Sequence, residues 1–338
     1  YDPEAHEVVP VLAESFEPDA TFQTWTLKLR DGLTFSDGTP FDAAAVQTNW
    51  ERVKDPANRS QAIGVALTMQ SITVVDATTL EVTLTSPNAH FATAVGRGAL
   101  NYIASPQAIA GGEQSSKPVG AGPFLLDSWI RDDRMVLVPN PNWKGSDGPF
   151  IDQLTFRVVG DEEQRVDTFV TGGADMFFTS SPRSIERAES ERDGTYASVA
   201  VSGGGTIVFN LAQAPFDDVR VRRAIAMAVD AEGLVEVIRP GAIVATNPVL
   251  DSSPWYTPDA DYPAYDPEEA QRLFDEYRQA TGQDIRFTIG SFQQTENIAV
   301  AEYVQTALNQ FEGVSVEIDV ADSPTAIQRV LQRNYQAH

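Results

Sequence analysis

The stretch "IRFTIGSFQQTENIAVAEYVQTALNQFEGVSVEIDV", residues 285–320, carries the reading of the fold. Residues 285–290 read as a strand, 295–311 as a helix and 314–320 as a second strand. A strand, a helix and a returning strand within about 35 residues make a βαβ unit. Its two strands must run parallel, because a helix crosses back between them. An α/β architecture is therefore expected.

The neighbouring segments extend the pattern. "PFDDVRVRRAIAMAVD", residues 215–230, is amphipathic, with Asp217 expected as its cap and Val221, Ile225 and Ala228 as its apolar stripe. "YDPEEAQRLFDEYRQATG", residues 265–282, places Asp266 at the N-cap, Pro267 at N1, Glu269 at N3 and Gly282 just past the end. The middle third opens on the Gly/Pro cluster of "KPVGAGPFLLDSW", read as a domain boundary. Strands are expected at "RMVLVP" and "IDQLTFRVV". A helix follows, capped near Asp161 and ended by Gly172 and Gly173, then a short strand over Asp175 to Phe178. In the first third, "WTLKLR" alternates Trp25, Leu27 and Leu29 against polar residues, the period of a half-buried strand. "SITVVDATTLEVTLT" reads as a hairpin turning over Asp76 to Thr79. Between them Asp42 caps a helix on which Val46, Asn49, Trp50 and Val53 share a face.

Composition bounds the function. The chain has 338 residues, 42% of them hydrophobic, enough for two or three domains with a substantial core. Its 48 Asp and Glu against 24 Lys and Arg leave a net charge of −24, which argues against nucleic acid as a partner. The absence of cysteine removes disulfides, thiolate catalysis and zinc sites with sulfur ligands. No apolar run approaches the roughly 18 residues of a membrane helix. The chain opens on "YDPE" with no leader pattern, and "SPTAIQRVLQRNYQAH" reads as a helix running toward another strand, so both ends are expected to be truncated.

Reactive chemistry is sparse. His6, His90 and His338 are far apart in sequence and read as exposed loop or terminal residues. "VGRGAL" holds two glycines of a dinucleotide loop and lacks the third. Asp42, Asp161, Asp217 and Asp266 are expected at helix caps, Asp31 and Asp37 in turns. The loop "YTPDADYPAYDPEE" gathers Asp259, Asp261, Asp266, Glu268 and Glu269, yet lacks the spacing of a calcium loop and reads as structural. Asn58 heads a glycosylation sequon by pattern alone.

Taken in order, several motifs carry a resemblance. "VVPVLAESFEPDATFQTWTLKLRDGLTFSDGTPFDAAAVQTNWERV", "VGAGPFLLDSW", "LVPNPNWKG" and "FRVVGDEEQRVDTFVTGGADM" are followed by "IVFNLAQAPFDDVRVRRAIAMAVD" and "YDPEEAQRLFDEY". Together they resemble the family 5 extracellular solute-binding proteins, the dipeptide, oligopeptide and nickel receptors of ABC importers. The resemblance implies an α/β, two-lobe periplasmic-binding-protein type II fold with an extra α/β subdomain, truncated at both ends. Residues 1–115 would be the extra subdomain of lobe one, 116–212 the remainder of lobe one and 213–338 an incomplete lobe two. It also implies a non-catalytic receptor, periplasmic or extracellular, with a lipoprotein anchor compatible. Such a receptor closes around a peptide or other small solute and hands it to an ABC permease, with no cofactor, no metal and no nucleic acid, as a monomer.

The resemblance places an Asn like Asn210 near the ligand, flanked by Phe209 and Leu211. Asn101 and Tyr102 sit in a loop placed to overhang a cleft. Ser291 and Phe292 follow a strand and precede a helix N-terminus, a position suited to a carboxylate. Partners for a peptide's own ammonium and carboxylate are expected beyond residue 338. Two rival readings stand beside this one: a secreted hydrolase using two carboxylates, and a sensory or chaperone-like binder of the same fold.

Overall fold

Alternation in "WTLKLR" becomes a central strand of an antiparallel sheet. The computed structural model describes residues 7–145, 148–197, 205–253 and 255–338, so His6 lies outside the described residues. The chain divides into two units, residues 1–159 and 160–338.

In the first unit, β1 (Ala13–Pro18), β2 (Thr24–Leu29), β3 (Met69–Val74) and β4 (Thr79–Leu84) form one antiparallel sheet in the order β1-β2-β4-β3. Trp25 pairs with Val82 and Leu27 with Leu80, so the apolar faces of both strands coincide. Leu80, Val82 and Leu84 are fully buried. The expected hairpin is therefore present. A second sheet is the antiparallel β5 (Phe124–Ile130), β6 (Arg134–Pro139) and β7 (Leu154–Arg157).

The helix Ala43–Lys54 covers the first sheet. Asp42 caps it by accepting from the Ala45 amide at 2.8 Å. Val46, Asn49 and Trp50 face inward as the spacing predicts, and Val53 packs at the edge of the core. Trp50 meets Phe16 at a tilt, Phe16 in turn touches Trp25 and Phe91, and the Trp50 Nε1–H donates to the Leu100 carbonyl at 2.9 Å. A buried indole N–H needs such a partner.

The turn ahead of this helix explains its "SDGTPF" spelling. Gly38 has φ of +83°, a conformation open to glycine and strained for other residues. Asp37 accepts from the Thr39 amide (2.9 Å), the Thr39 hydroxyl (2.5 Å) and the hydroxyl of fully buried Ser105 (2.7 Å). Phe35 and Phe41 flank the turn with ring centroids 5.0 Å apart. Sequence-distant Ser105 is thus tied to the turn, and its Oγ also caps the helix Pro106–Ala110.

The second unit holds the βαβ unit. β8 (Ile285–Phe292) and β9 (Val314–Ala321) pair in parallel from Ile285–Val314 through Phe292–Ala321, with the helix Thr295–Leu308 between them. β8 runs two residues past the expected Gly290, because Val320 and Ala321 continue to pair with Ser291 and Phe292. The chain's last residues add to this sheet. Ala337 bridges Ile289 in parallel on one side and Phe209 antiparallel on the other.

The helices Val219–Ala228 and Pro267–Thr281 pack together through Val221, Ile225, Leu273, Phe274 and Tyr277. Asp266, Pro267, Glu269 and Gly282 take the expected positions, Gly282 at φ +71°. The cap of Val219–Ala228 is Asp218 and not Asp217. Asp218 accepts from the Arg220 amide at 2.8 Å, and its carboxylate also grips the Arg220 guanidinium, a pairing that favours the later register. Asp175 to Phe178 is not a strand: Met176 and Phe178 are 81% exposed, and among the described residues no strand pairs with them. The helix before it, Glu162–Val170, is capped by Asp161 as expected.

Burial pushes the Asp37 carboxyl up, but the hydrogen bonds from Thr39 and Ser105 outweigh it and hold the group below the ordinary 3.8. The native state then favours the charged form. Its contribution is complete above 3.8 and is lost as pH falls through the lower folded value. Asp37→Asn should cost about 1 kcal/mol near neutral pH. In urea titrations at several pH values, the gap between variant and wild type should close in strong acid. A gap that stays constant with pH would show that the charge is not involved.

Candidate functional site

The burial period of β8 continues to its end. Ile285, Phe287, Ile289 and Ser291 face the core, while Gly290 and Phe292 lie on the other face. At Gly290 a Cβ would come within 2.6 Å of His338 Nδ1, so the imidazole lies against the glycine backbone. The same ring meets Phe292 edge-on, with centroids 4.9 Å apart. The main chain holds His338 in place: its carbonyl accepts from Val208 N–H (2.8 Å), and its N–H donates to Val208 O (3.0 Å).

A cavity of about 500 Å³ opens beside this carboxyl end of β8. Ligands in open α/β sheets bind at the carboxyl ends of strands. Ile207 and Val208 form one wall. Leu234 and Val235 of the helix Ala231–Ile238 form another, and Val300, Ala301 and Val304 of Thr295–Leu308 a third. Five polar side chains punctuate these aliphatic walls: Thr206, Ser291, Asn297, Arg239 and His338. A few placed polar groups on an apolar wall are what small-molecule sites share. A smaller space of about 200 Å³ shares Gly290, Ser291 and His338, and adds Asp319, Arg329 and Asn334.

Arg239 caps the carboxyl end of Ala231–Ile238, where its charge complements the helix dipole. Its guanidinium forms an ion pair with Glu296. Glu296 stands in the first turn of Thr295–Leu308, a helix start with no side-chain cap. The anion expected at this helix N-terminus is thus partly supplied by the protein itself.

Of the residues expected at a site, Ser291 and Phe292 line the cavity. Phe209, Asn210 and Leu211 do not; they follow directly on Ile207 and Val208, which form its wall. Asn210 is buried, and its amide is committed to the backbone. Nδ2 donates to Arg333 O (3.2 Å) and Tyr335 O (2.9 Å), and Oδ1 accepts from Ala212 N–H (3.2 Å). Phe209 stacks on Phe216 with centroids 4.7 Å apart, and Leu211 is exposed. Asn101 and Tyr102 belong to the first unit, where Asn101 ends a short turn of helix and Tyr102 is 79% exposed.

His338, expected to be an exposed terminal residue, is half-buried between Gly290 and Phe292. His90 is exposed as expected. Sequence reasoning passed over Arg239, whose partner Glu296 lies in another helix and leaves no local signal. In the acidic loop, Asp261 accepts from Asn247 Nδ2 at 2.8 Å and Asp266 caps its helix, so both serve the framework. Among the described residues no group of three or more His, Cys, Asp or Glu is arranged to hold a metal.

Comparison with known proteins places the chain in a family. The description "Bacterial extracellular solute-binding proteins, family 5 Middle" matches residues 7–338. The Glutathione-binding protein GsiB of Escherichia coli (strain K12) is 29% identical over 315 residues, covering 93% of this chain and 61% of the relative. The chain therefore spans about three-fifths of the length of the curated relatives it matches. Among solved structures, AgaA from A.tumefacien R10 in complex with agropinic acid has a TM-score of 0.84 at 22% identity, covering 98% of this chain and 67% of that one. DppA from Helicobacter pylori, in complex with peptide STSA, has a TM-score of 0.82 at 24% identity, with coverage of 98% and 68%. These likenesses show the fold, that of type II periplasmic binding proteins. The chain belongs to the family 5 bacterial extracellular solute-binding proteins.

Asn210→Ala should destabilise the full-length protein by about 1–3 kcal/mol, because two carbonyls and an amide lose their partner together. Asn210→Asp should cost at least as much near neutral pH, since a carboxylate cannot donate to Arg333 and Tyr335. Urea midpoints of both variants test this, and unchanged midpoints would refute the bracing role.

Proposed function

We propose that the protein is the extracytoplasmic receptor of an ABC importer, capturing a small solute, a peptide above all, and delivering it to a membrane permease. The observation that carries the reading is the cavity beside the carboxyl end of β8, aliphatic in its walls and set with a few polar side chains. Family membership supports it, as do the relatives named for binding glutathione and the similar folds solved with a peptide and with agropinic acid. No described helix is long and apolar enough to cross a membrane, which fits delivery to a separate permease. The working place is the periplasm or the cell exterior, and the protein acts as a monomer.

Among the described residues, every carboxylate whose pKa departs from its ordinary value has it lowered, none raised. Asp19, Asp37, Asp76, Asp218, Glu269 and Asp322 are each held below the ordinary carboxylate value. For Asp218 and Glu269 the main cause is the arginine beside them, Arg220 and Arg272.

In this reading residues 1–115 and 116–212 form one lobe and 213–338 part of the other, and the ligand contacts both only when they close. Binding then shifts the population toward the closed form. Ser291 and Phe292 meet the ligand from the second lobe, and Asn101 and Tyr102 reach it from the first. Phe209, Asn210 and Leu211 position the segment beside the cavity.

Native mass spectrometry of full-length protein purified without denaturation should find a co-purified small molecule. Adding that molecule at a hundred times its Kd should stabilise the protein by about 2.7 kcal/mol. It should also reduce the radius of gyration in solution scattering. Turnover of the molecule, or binding with no compaction, would count against a closing receptor.

A further inference from the structure

The helix Ala231–Ile238 is apolar at Ala231, Leu234, Val235, Val237 and Ile238, yet none of its eight residues is buried. Its neighbours behave otherwise: Val219–Ala228 and Pro267–Thr281 each bury four residues. The cause lies on either side of it. Ala231, Leu234 and Val235 line the 500 Å³ cavity, while Val237 and Ile238 line a second one of about 530 Å³. Leu234 alone of this helix packs against the core. Residues 242–245, which follow without regular structure, line the first cavity as well, and Ile243 among them is exposed.

Polar contacts hold the same segment at its two ends and at one point between. Asp230 caps the helix by accepting from Gly233 N–H (3.0 Å), and its carbonyl accepts from the Tyr303 hydroxyl (3.2 Å). At the far end Asn247 is buried, and its Nδ2 donates to Thr257 O (2.9 Å) and to Asp261 (2.8 Å). Among the described residues, the hydrogen bonds of residues 231–245 stay within 230–245. One ion pair, Arg239 with Glu296, ties the segment to the helix Thr295–Leu308. A segment with few buried contacts and only local hydrogen bonds opens at a cost well below that of global unfolding.

We propose that residues 231–245 form a lid on the 500 Å³ cavity, opening as a unit about Asp230 and Asn247 and latched by the Arg239–Glu296 ion pair. Opening carries Leu234 and Val235 away from Ala301 and Val304, which are buried on another wall of the cavity. One partly exposed ion pair shifts such an equilibrium by roughly two- to fivefold, enough to bias the lid without locking it. The lid belongs to the unliganded chain, so it does not rest on the receptor reading.

The chain has no cysteine, so a single introduced thiol reports the opening. Val304→Cys places it on the cavity wall, at a residue buried while the lid is shut. Leu308→Cys places it one turn further along the same helix, fully buried and lining neither cavity. In the full-length protein, iodoacetamide should label Val304→Cys at least about tenfold faster than Leu308→Cys. Adding Glu296→Gln should speed labelling of Val304→Cys roughly two- to fivefold and leave Leu308→Cys unchanged. Glu296 does not line the cavity, so this change leaves the wall itself intact. Hydrogen exchange needs no variant: in the unsubstituted protein, amides 235–239 should exchange at least about tenfold faster than amides 271–278 of the helix Pro267–Thr281.

Equal labelling of the two thiols, or equal exchange in the two helices, would show that the segment opens only with the whole unit, and overturns the lid. Labelling of Val304→Cys that ignores Glu296→Gln overturns the latch, and so does acceleration of both thiols together. Each of these failures leaves the receptor reading standing, because that reading is decided by the co-purified ligand.

Discussion

The second unit depends on the seating of Ala337 between β8 and the segment around Phe209. Its N–H donates to Thr288 O on β8 and its carbonyl accepts from Gly290 N–H, while its neighbours Gln336 and His338 bond to Asn210 and Val208 on the other side. Ala337 is fully buried. A backbone buried this deeply must pair on every side, because an unpaired amide or carbonyl costs as much as a lost hydrogen bond. This single crossing joins residues 207–210 to β8. It also sets His338 against Gly290, where only a glycine leaves room for the ring.

Asn210 acts in the same place. Its side chain replaces a strand neighbour for residues 333–335, where the chain has not yet entered the sheet. The approach to Ala337 is therefore braced before the main-chain ladder begins. The aromatic stack of Phe209 on Phe216, with Phe287 edge-on beneath, fills the space behind it. Packing and hydrogen bonding converge on one segment, and the cavity wall follows from its position.

The acidity of the chain is spread over its framework. Asp42, Asp161, Asp218, Asp230, Asp266 and Asp322 each accept from an amide in the first turn of a helix. A cap of this kind contributes typically about 1 kcal/mol. Exposed clusters such as Arg187 with Glu163, Asp167 and Glu191 contribute less, since water screens them. Arg239 stands beside a mostly aliphatic wall, with its charge met by Glu296 from the next helix.

Local rules were legible without a structure. The helix Pro267–Thr281 was readable at both ends, because Asp266, Pro267 and Gly282 act on amides and carbonyls within one turn of themselves. Trp25, Leu27 and Leu29 declared their strand by period alone, and the motif order declared the family. Where two candidates were adjacent, as with Asp217 and Asp218, the guanidinium of Arg220 decided. The apolar pair Met176 and Phe178 is exposed, with no strand pairing against it among the described residues. The roles of Asn210, Arg239 and His338 depended entirely on tertiary structure. Each is defined by a partner far along the chain, and such contacts leave no periodic trace because the fold alone brings them together.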